Sequence, residues 1–176
     1  MSARILVVMG VCGCGKTTLG EALAGQLELP FLEGDAYHPR TNIEKMAGGV
    51  PLSDEDRWPW LDAFGAALAD NARQHDGVVG ACSALRRVYR ERLQAAAGMP
   101  LRFVCLTAAR DDIANRMQAR SDHFMPVALL DSQLATLEVP ARDEPAIVLS
   151  GSTPLADTVA RALEFATAPM QRLPPD

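Results

Sequence analysis

The sequence predicts an α/β fold, a three-layer α/β/α sandwich built on a five-stranded parallel sheet. Three observations carry that expectation. Short, continuously apolar runs rich in β-branched residues recur along the chain, the pattern of strands covered on both faces. Stretches with apolar residues at helical spacing separate them, and strict alternation of strand and helix implies parallel strands joined by crossovers. No repeat, low-complexity tract or linker divides the 176 residues, so residues 1–176 are expected to form one domain with a substantial core.

Taken in order, residues 4–9 form a central strand and the Leu- and Ala-rich residues 17–27 a helix. Residues 30–33 are a second, short strand ending at Gly34-Asp35. Residues 36–51 are polar and carry Pro39, Gly48, Gly49 and Pro51, which suits an excursion toward a ligand with at most one short helix. Ser53 followed by Asp54, Glu55 and Asp56 has the composition of a helix start, with acids at the positive end of the dipole. Leu61, Phe64 and Leu68 then recur at helical spacing. Pro59 is best tolerated in a first turn, which moves the expected start to Trp58. Residues 77–82 are the third strand and 86–97 a basic helix. Residues 101–106 are the fourth strand and 110–120 a helix. Val127, Leu130, Leu134 and Leu137 continue as an amphipathic helix. Residues 146–149 are the fifth strand and 154–168 the closing helix.

Composition narrows the partners. With 48% apolar and 22% charged residues, the chain is an ordinary soluble one. A net charge of −5 lacks the basic footprint of a nucleic-acid binder. No apolar run is long enough to span a bilayer. Five apolar residues after Arg4 are too few for a signal-peptide core, so a cytoplasmic location is expected. Cys12, Cys14, Cys82 and Cys105 are even in number, but a cytosolic chain keeps thiols reduced, and Cys12-x-Cys14 lacks zinc-ligand spacing.

Gly10-Val11-Cys12-Gly13-Cys14-Gly15-Lys16-Thr17 is a complete G-x-x-x-x-G-K-[ST] loop, set between a predicted strand and a predicted helix. Glycines let successive N–H groups curl toward one anion, and the helix N-terminus adds positive charge. Lys16 reaches β- and γ-phosphates, and the Thr17 hydroxyl holds Mg²⁺. Cys12 and Cys14 serve as filler, or, at a helix N-terminus that lowers thiol pKa, as a redox brake.

Such loops serve switches and motors too. A guanine-reading N-K-x-D is missing, and the D-x-x-G string at Asp62–Gly65 falls inside a helix. The third strand ends in Cys82-Ser83 rather than the acid of a motor ATPase. A small-molecule kinase fits better. Asp35, directly after the second strand, lies at the carboxyl edge where open α/β sheets bind ligands; the alternative is an ordinary turn aspartate. Arg116 and Arg120, four residues apart on one helix, read either as a phosphate clamp or as a solvated basic face. Arg86, Arg87, Arg90 and Arg92 carry the second reading more strongly.

The chain resembles bacterial gluconokinases of the shikimate-kinase-like group. The resemblance rests on the loop from Met9 to Lys16, on Gly34-Asp35-x-x-His38-Pro39-x-x-Asn42-x-x-Lys45-Met46-x-x-Gly49-x-Pro51-Leu52, and on Asp54-x-Asp56-Arg57-x-Pro59-Trp60-Leu61. Further matches are Ala81-Cys82-Ser83-Ala84-Leu85 with Tyr89-Arg90 and Leu93, then His123-Phe124-Met125-Pro126, Leu130-x-Ser132-Gln133 and Leu137-Glu138-x-Pro140. It spans roughly residues 5 to 165, a whole domain. Departures are Cys12 and Cys14 where Ser is usual, Arg86-Arg87 for Lys-Lys, Gly80 in the third strand, Leu134 for Phe, and Ser121-Asp122 before the lid histidine.

The resemblance implies ATP-dependent phosphorylation of D-gluconate at its C6 hydroxyl, a homodimer, a lid over about 120–137 and an acceptor-binding segment over about 35–75. On the reading of the residues alone, another small-molecule kinase of shikimate or nucleoside type, or a nucleotide sensor that transfers nothing, stays open. The expected nucleotide set is Gly10, Cys12, Gly13, Cys14, Gly15, Lys16, Thr17, Thr18, Arg116 and Arg120, with adenine near Gly151-Ser152-Thr153-Pro154. The expected acceptor set is Asp35, His38, Lys45, Arg57, Ser83, Arg87, His123 and Gln133. Lys16, Asp35 and Arg120 are expected to be catalytic, and Thr17 and Asp35 to serve Mg²⁺.

Overall fold

The structure, a computed structural model, describes residues 4–119 and 128–169. Five strands form one parallel sheet: β1 (Arg4–Met9), β2 (Phe31–Glu33), β3 (Gly77–Ala81), β4 (Leu101–Thr107) and β5 (Ala146–Ser150), in the spatial order β2-β3-β1-β4-β5. β1 sits at the centre, with Ile5 opposite both Val78 and Leu101. Its side chains alternate between faces, as the two-residue period of a strand requires. Leu6 and Val8 join one core cluster, and Ile5, Val7 and Met9 join the other. A strand apolar on both faces is thereby buried on both, as the uninterrupted run predicts.

Helices cover each face. α1 (Lys16–Leu27), α5 (Arg110–Gln118) and α7 (Leu155–Thr167) supply Leu23, Ile113 and Ala162 to the first cluster, and α6 (Ala128–Thr136) adds Leu130. α3 (Asp54–His75) and α4 (Arg87–Ala97) supply Trp60, Phe64, Leu68, Tyr89 and Leu93 to the second. A short helix, α2 (Arg40–Ala47), joins α3 through Asn42 and Lys45, which both bond to Asp56, and adds Met46 to a small third cluster with Leu52 and Leu129.

Two expectations are corrected. α3 begins at Asp54 rather than near Trp58, so Pro59 lies inside the helix. A reciprocal capping box explains the start: Asp56 N–H donates to the Ser53 hydroxyl, and Ser53 N–H to the Asp56 carboxylate. Pro59 deletes only the bond to the Glu55 carbonyl, and both residues are on the exposed face, where water replaces it. The polar excursion holds its one short α-helix, but a 3₁₀ turn over Gly34–Tyr37 precedes it. Gly34 is required there, because a Cβ would lie 2.5 Å from the Ala81 carbonyl oxygen. The tight approach lets the buried Trp60 Nε1 donate to the Gly34 carbonyl at 2.8 Å.

Among the described residues no helix is long and apolar enough to cross a membrane.

Candidate active site

The phosphate loop connects β1 to α1. Gly10, Gly13 and Gly15 have φ of +142°, +79° and +104°, values that turn successive amides to one side. At Gly10 a Cβ would meet the Leu106 carbonyl oxygen at 2.6 Å and Cys14 Sγ at 2.7 Å, so loop and β4 touch backbone to backbone. α1 has no side-chain cap and no acid in its first turn. Its opening N–H groups are therefore left for an external anion, and ATP fits this chain on that ground. Lys16 Nζ donates to the Val11 carbonyl at 2.9 Å. Burial alone would lower the Lys16 pKa, but Cys14, Asp35, Cys12 and Glu33 create a negative potential that raises it above its ordinary value. The lysine is a cation at any physiological pH.

Two clefts flank this loop. One, about 640 Å³, is lined by Gly13, Cys14, Gly15, Thr18, Arg116, Gly151, Thr153 and Thr158. Arg116 Nη2 donates to the Gly151 carbonyl at 3.1 Å. Of the expected nucleotide residues, Gly13, Cys14, Gly15, Thr18 and Arg116 line this cleft together with Gly151 and Thr153 of the expected adenine segment, whereas Cys12 and Lys16 line the second. The second cleft, about 570 Å³, is lined by Cys12, Lys16, Asp35, His38, Arg57, Ser83 and Gln133, with Met46, Pro51, Leu52, Leu129, Ser132 and Thr136. It collects six of the expected acceptor and catalytic residues from the ends of β1, β2 and β3 and from α3 and α6. That is the carboxyl edge of the sheet.

Electrostatics in the second cleft are specific. His38 stacks on Trp60 with centroids 3.9 Å apart. Its Nδ1 lies 3.3 Å from Asn42 Nδ2, and its Nε2 lies 3.8 Å from Asp35 Oδ1. Burial lowers its pKa to about 4, with Asp35 opposing and Arg57 adding to the fall. The ring is neutral at pH 7. An Asn amide donating to Nδ1 selects the tautomer with the proton on Nε2, facing Asp35. Arg57 donates to the Leu52 carbonyl at 3.3 Å and lies over the Tyr89 ring at 5.0 Å. Its Nε is buried and has no hydrogen-bond partner among the described residues. The neighbouring acids are occupied elsewhere: Asp56 by Lys45, Asp54 by Tyr89 and Arg86.

Other expected residues lie elsewhere. Lys45 does not line the cleft; it binds both oxygens of Asp56 at 2.8 Å. Arg87 is likewise not brought to the cleft, because Glu91 and Asp143 hold it at 3.0 and 2.8 Å. Arg120 and His123 lie outside the described residues. The Thr17 hydroxyl donates to Glu33 at 2.6 Å, which brings a second acid beside the expected Mg²⁺ residues Thr17 and Asp35. Thr17 and Glu33 together suit Mg²⁺, which takes one or two protein oxygens and completes its shell with phosphates and water. Glu33 had a legible signal: it closes β2 at the same edge that singled out Asp35. Asn42, buried and bonded to the Asp56 carbonyl at 2.8 Å, had none beyond its place in the motif. Of the loop thiols, Cys12 and Cys14 are 8% and 1% exposed, which suits filler better than a redox brake.

A phosphate loop feeding an uncapped helix, beside a second, acid-bearing cleft, defines a P-loop phosphotransferase that brings a nucleotide and a small acceptor together. Comparison with known proteins narrows the class. A family model described as an AAA domain matches residues 5–140. The gluconokinase of Gluconobacter oxydans is 50% identical over 151 residues, covering 86% of this chain and 84% of that one. The thermoresistant gluconokinase of Escherichia coli is 42% identical over 163 residues, 92% of each chain. The crystal structure of a gluconokinase from Sinorhizobium meliloti superposes with a TM-score of 0.81 at 46% identity, covering 94% of this chain and 92% of that one. Shikimate kinase from Aquifex aeolicus, at 13% identity and TM-score 0.61, shares the fold. The chain belongs to the gluconokinase family.

Proposed function

We propose that this protein transfers the γ-phosphoryl group of ATP to the C6 hydroxyl of D-gluconate, giving 6-phospho-D-gluconate and ADP. The observation that carries the choice of acceptor is the buried, unmatched Arg57 Nε in the cleft that also holds Lys16 and Asp35. A guanidinium donor left without a partner in a buried site is costly, and a carboxylate ligand removes that cost. A hydroxyl to be phosphorylated belongs near Lys16 and Asp35, and a carboxylate near Arg57. Gluconate carries both groups at opposite ends of one chain, and the relatives above are named for it.

Asp35 orients the acceptor hydroxyl and takes its proton as the oxygen–phosphorus bond forms and the bond to the ADP oxygen breaks. Neutral His38 directs its Nε2 proton toward Asp35 or the acceptor. Lys16 offsets charge on the moving phosphoryl group, the main task in such transfers. Thr17 and Glu33, with Asp35 nearby, would hold Mg²⁺, which would neutralise charge on the phosphates. Residues 35–75 act as the acceptor-binding segment, α6 is the described part of a lid over about 120–137, and Arg120 acts from that lid. A cytoplasmic homodimer completes the reading, and sedimentation would test the dimer.

The decisive experiment is an ADP-release assay with Mg-ATP against D-gluconate, shikimate and a set of nucleosides, with the product position read by phosphorus–proton NMR. Turnover confined to gluconate, with phosphate on C6, is expected. Faster turnover of shikimate or a nucleoside would replace the acceptor. Nucleotide binding with no turnover of any acceptor would reduce the protein to a sensor.

A further inference from the structure

The two clefts meet at the loop, and α6 touches that junction. Gly13, Cys14, Gly15 and Thr18 face the nucleotide side, whereas Cys12 and Lys16 face the acceptor side with Asp35. A phosphoryl group in transit between the two ligands must pass Lys16 and the neighbouring Cys12 amide. In this structure the Cys12 N–H donates to the side-chain oxygen of Gln133, on α6, at 2.7 Å. A carbonyl oxygen at that distance from a loop amide makes the contact that a phosphate oxygen makes in a nest of N–H groups. Gln133 reaches across 121 residues of sequence to make it.

We propose that Gln133 is a positioning residue that stands in for the transferable phosphate. Its carboxamide oxygen and the γ-phosphate of ATP compete for the Cys12 amide, and ATP displaces it. ADP has no γ-phosphate and leaves the contact in place. The same helix face carries the consequence to the acceptor. Leu129, Ser132, Gln133 and Thr136 all line the acceptor cleft, at spacings of three and four residues that put them on one side of a helix. Leu129 is 5% exposed and packs with Met46 and Leu52 of the acceptor wall. Displacing Gln133 therefore shifts the element that closes on gluconate, so the helix distinguishes ATP from ADP and passes the difference to the acceptor side.

The inference rests on the nucleotide half of the function proposed above and not on the identity of the acceptor. Its test therefore measures nucleotide affinity alone. Mg²⁺ complexes of β,γ-imido-ATP and of ADP are titrated calorimetrically into wild type, Gln133→Ala and Gln133→Glu. Removing the competing oxygen in Gln133→Ala is expected to tighten the triphosphate analogue by about threefold to tenfold, the worth of one net hydrogen bond, with ADP within about twofold. Gln133→Glu gives the Cys12 amide a charged acceptor in the cleft that also holds Lys16, a stronger bond than the neutral one. It should weaken the analogue by about tenfold or more while ADP stays within about twofold. Opposite shifts confined to the triphosphate support the proposal. Equal shifts for both nucleotides, or none in either variant, overturn it and leave Gln133 a wall residue. Thermal unfolding of each variant separates these outcomes from loss of fold. A wild type that binds neither nucleotide would instead overturn the nucleotide reading itself.

Discussion

Arg57 reaches the acceptor cleft with one bond to the Leu52 carbonyl, a ring contact to Tyr89, and its Nε unmatched. Arg57→Ala should therefore raise the KM for gluconate about ten- to a hundredfold, the range of a charge-assisted hydrogen bond worth about 1.5–3 kcal/mol. The KM for ATP should move by no more than about twofold. Arg57→Lys should recover only part of the loss, because an ammonium does not reproduce the planar fork or its stacking on Tyr89. Equal effects on both substrates in steady-state kinetics would make Arg57 a structural residue. Asp35 carries a different kind of energy. Asp35→Asn keeps the size and one acceptor but removes the basicity, so kcat should fall by roughly 10²–10⁴ while gluconate KM changes little. A loose phosphoryl-transfer transition state puts the loss toward the lower end. A loss of about threefold or less would return Asp35 to a turn role and move the search for the base to His38.

The elements are held in register by close approaches that glycines permit. At Gly65 of α3, a Cβ would lie 2.7 Å from Ala96 Cβ and 2.9 Å from the Leu93 carbonyl oxygen of α4. Gly80 of β3 makes room for Leu68 and Phe64 in the same way, which accounts for a glycine in an otherwise apolar strand. Gly65→Val forces backbone against side chain, and overpacking of this kind costs about 1–3 kcal/mol. The melting temperature should fall by roughly 2–4 °C per kcal/mol in a chain of this length. Gly25 on the exposed face of α1 has nothing within 4 Å of its Cβ position, so Gly25→Ala should stabilise by up to about 1 kcal/mol. Calorimetric melts of the pair check both signs; a Gly65→Val variant as stable as wild type would remove the α3–α4 seam from this account. Elements of this kind were largely legible in the sequence, because strand runs and helical spacing are local patterns. The start of α3 was misread because the rule for Pro59 outweighed the capping box that precedes it. Side-chain fates on α4 were illegible for another reason. Arg92 binds Asp62 and Arg90 binds Glu144, 30 and 54 residues away, and no local pattern reports such pairs. The site divides along the same line: the loop, Asp35 and Arg57 follow from motif and edge position, whereas Lys45 and Arg87 were taken up by partners visible only in the folded chain.

At the scale of the whole molecule, acid acts on the fold in two separate windows. The pKa values of several carboxylates are lowered: Tyr89 and Arg86 act on Asp54, Lys45 on Asp56, Arg92 on Asp62, and Arg110 on Asp131. Each contributes stability that is present above its unfolded pKa, near 3.8, and lost as pH falls further. Asp131 is exposed and the other three are half-buried at the surface, so their individual contributions are small. His38 titrates earlier. Its pKa falls from 6.5 to about 4 because burial disfavours the cation, and its side chain is only 4% exposed. Above pH 6.5 the ring is neutral in both the folded and the unfolded chain, so the stability of the neutral, Trp60-stacked form is fully present. Between pH 6.5 and 4 the unfolded chain takes up a proton that the folded chain refuses. Stability therefore falls by about 1.4 kcal/mol per pH unit, on the order of 3 kcal/mol across the window. Below pH 4 both states are protonated and this loss levels off. The ring belongs to the acceptor cleft, so the same proton should disturb the site before it unfolds the chain. Urea unfolding of wild type and His38→Gln at pH 7.5, 6.0, 5.0 and 4.5 isolates the effect. The glutamine retains an acceptor for Asn42 but cannot ionise. The difference in unfolding free energy between the two proteins should be constant from pH 7.5 to about 6.5 and then shrink with a slope of one proton. A difference that stays flat down to pH 4.5 would place the acid sensitivity in the carboxylates and show that folding does not hold His38 neutral.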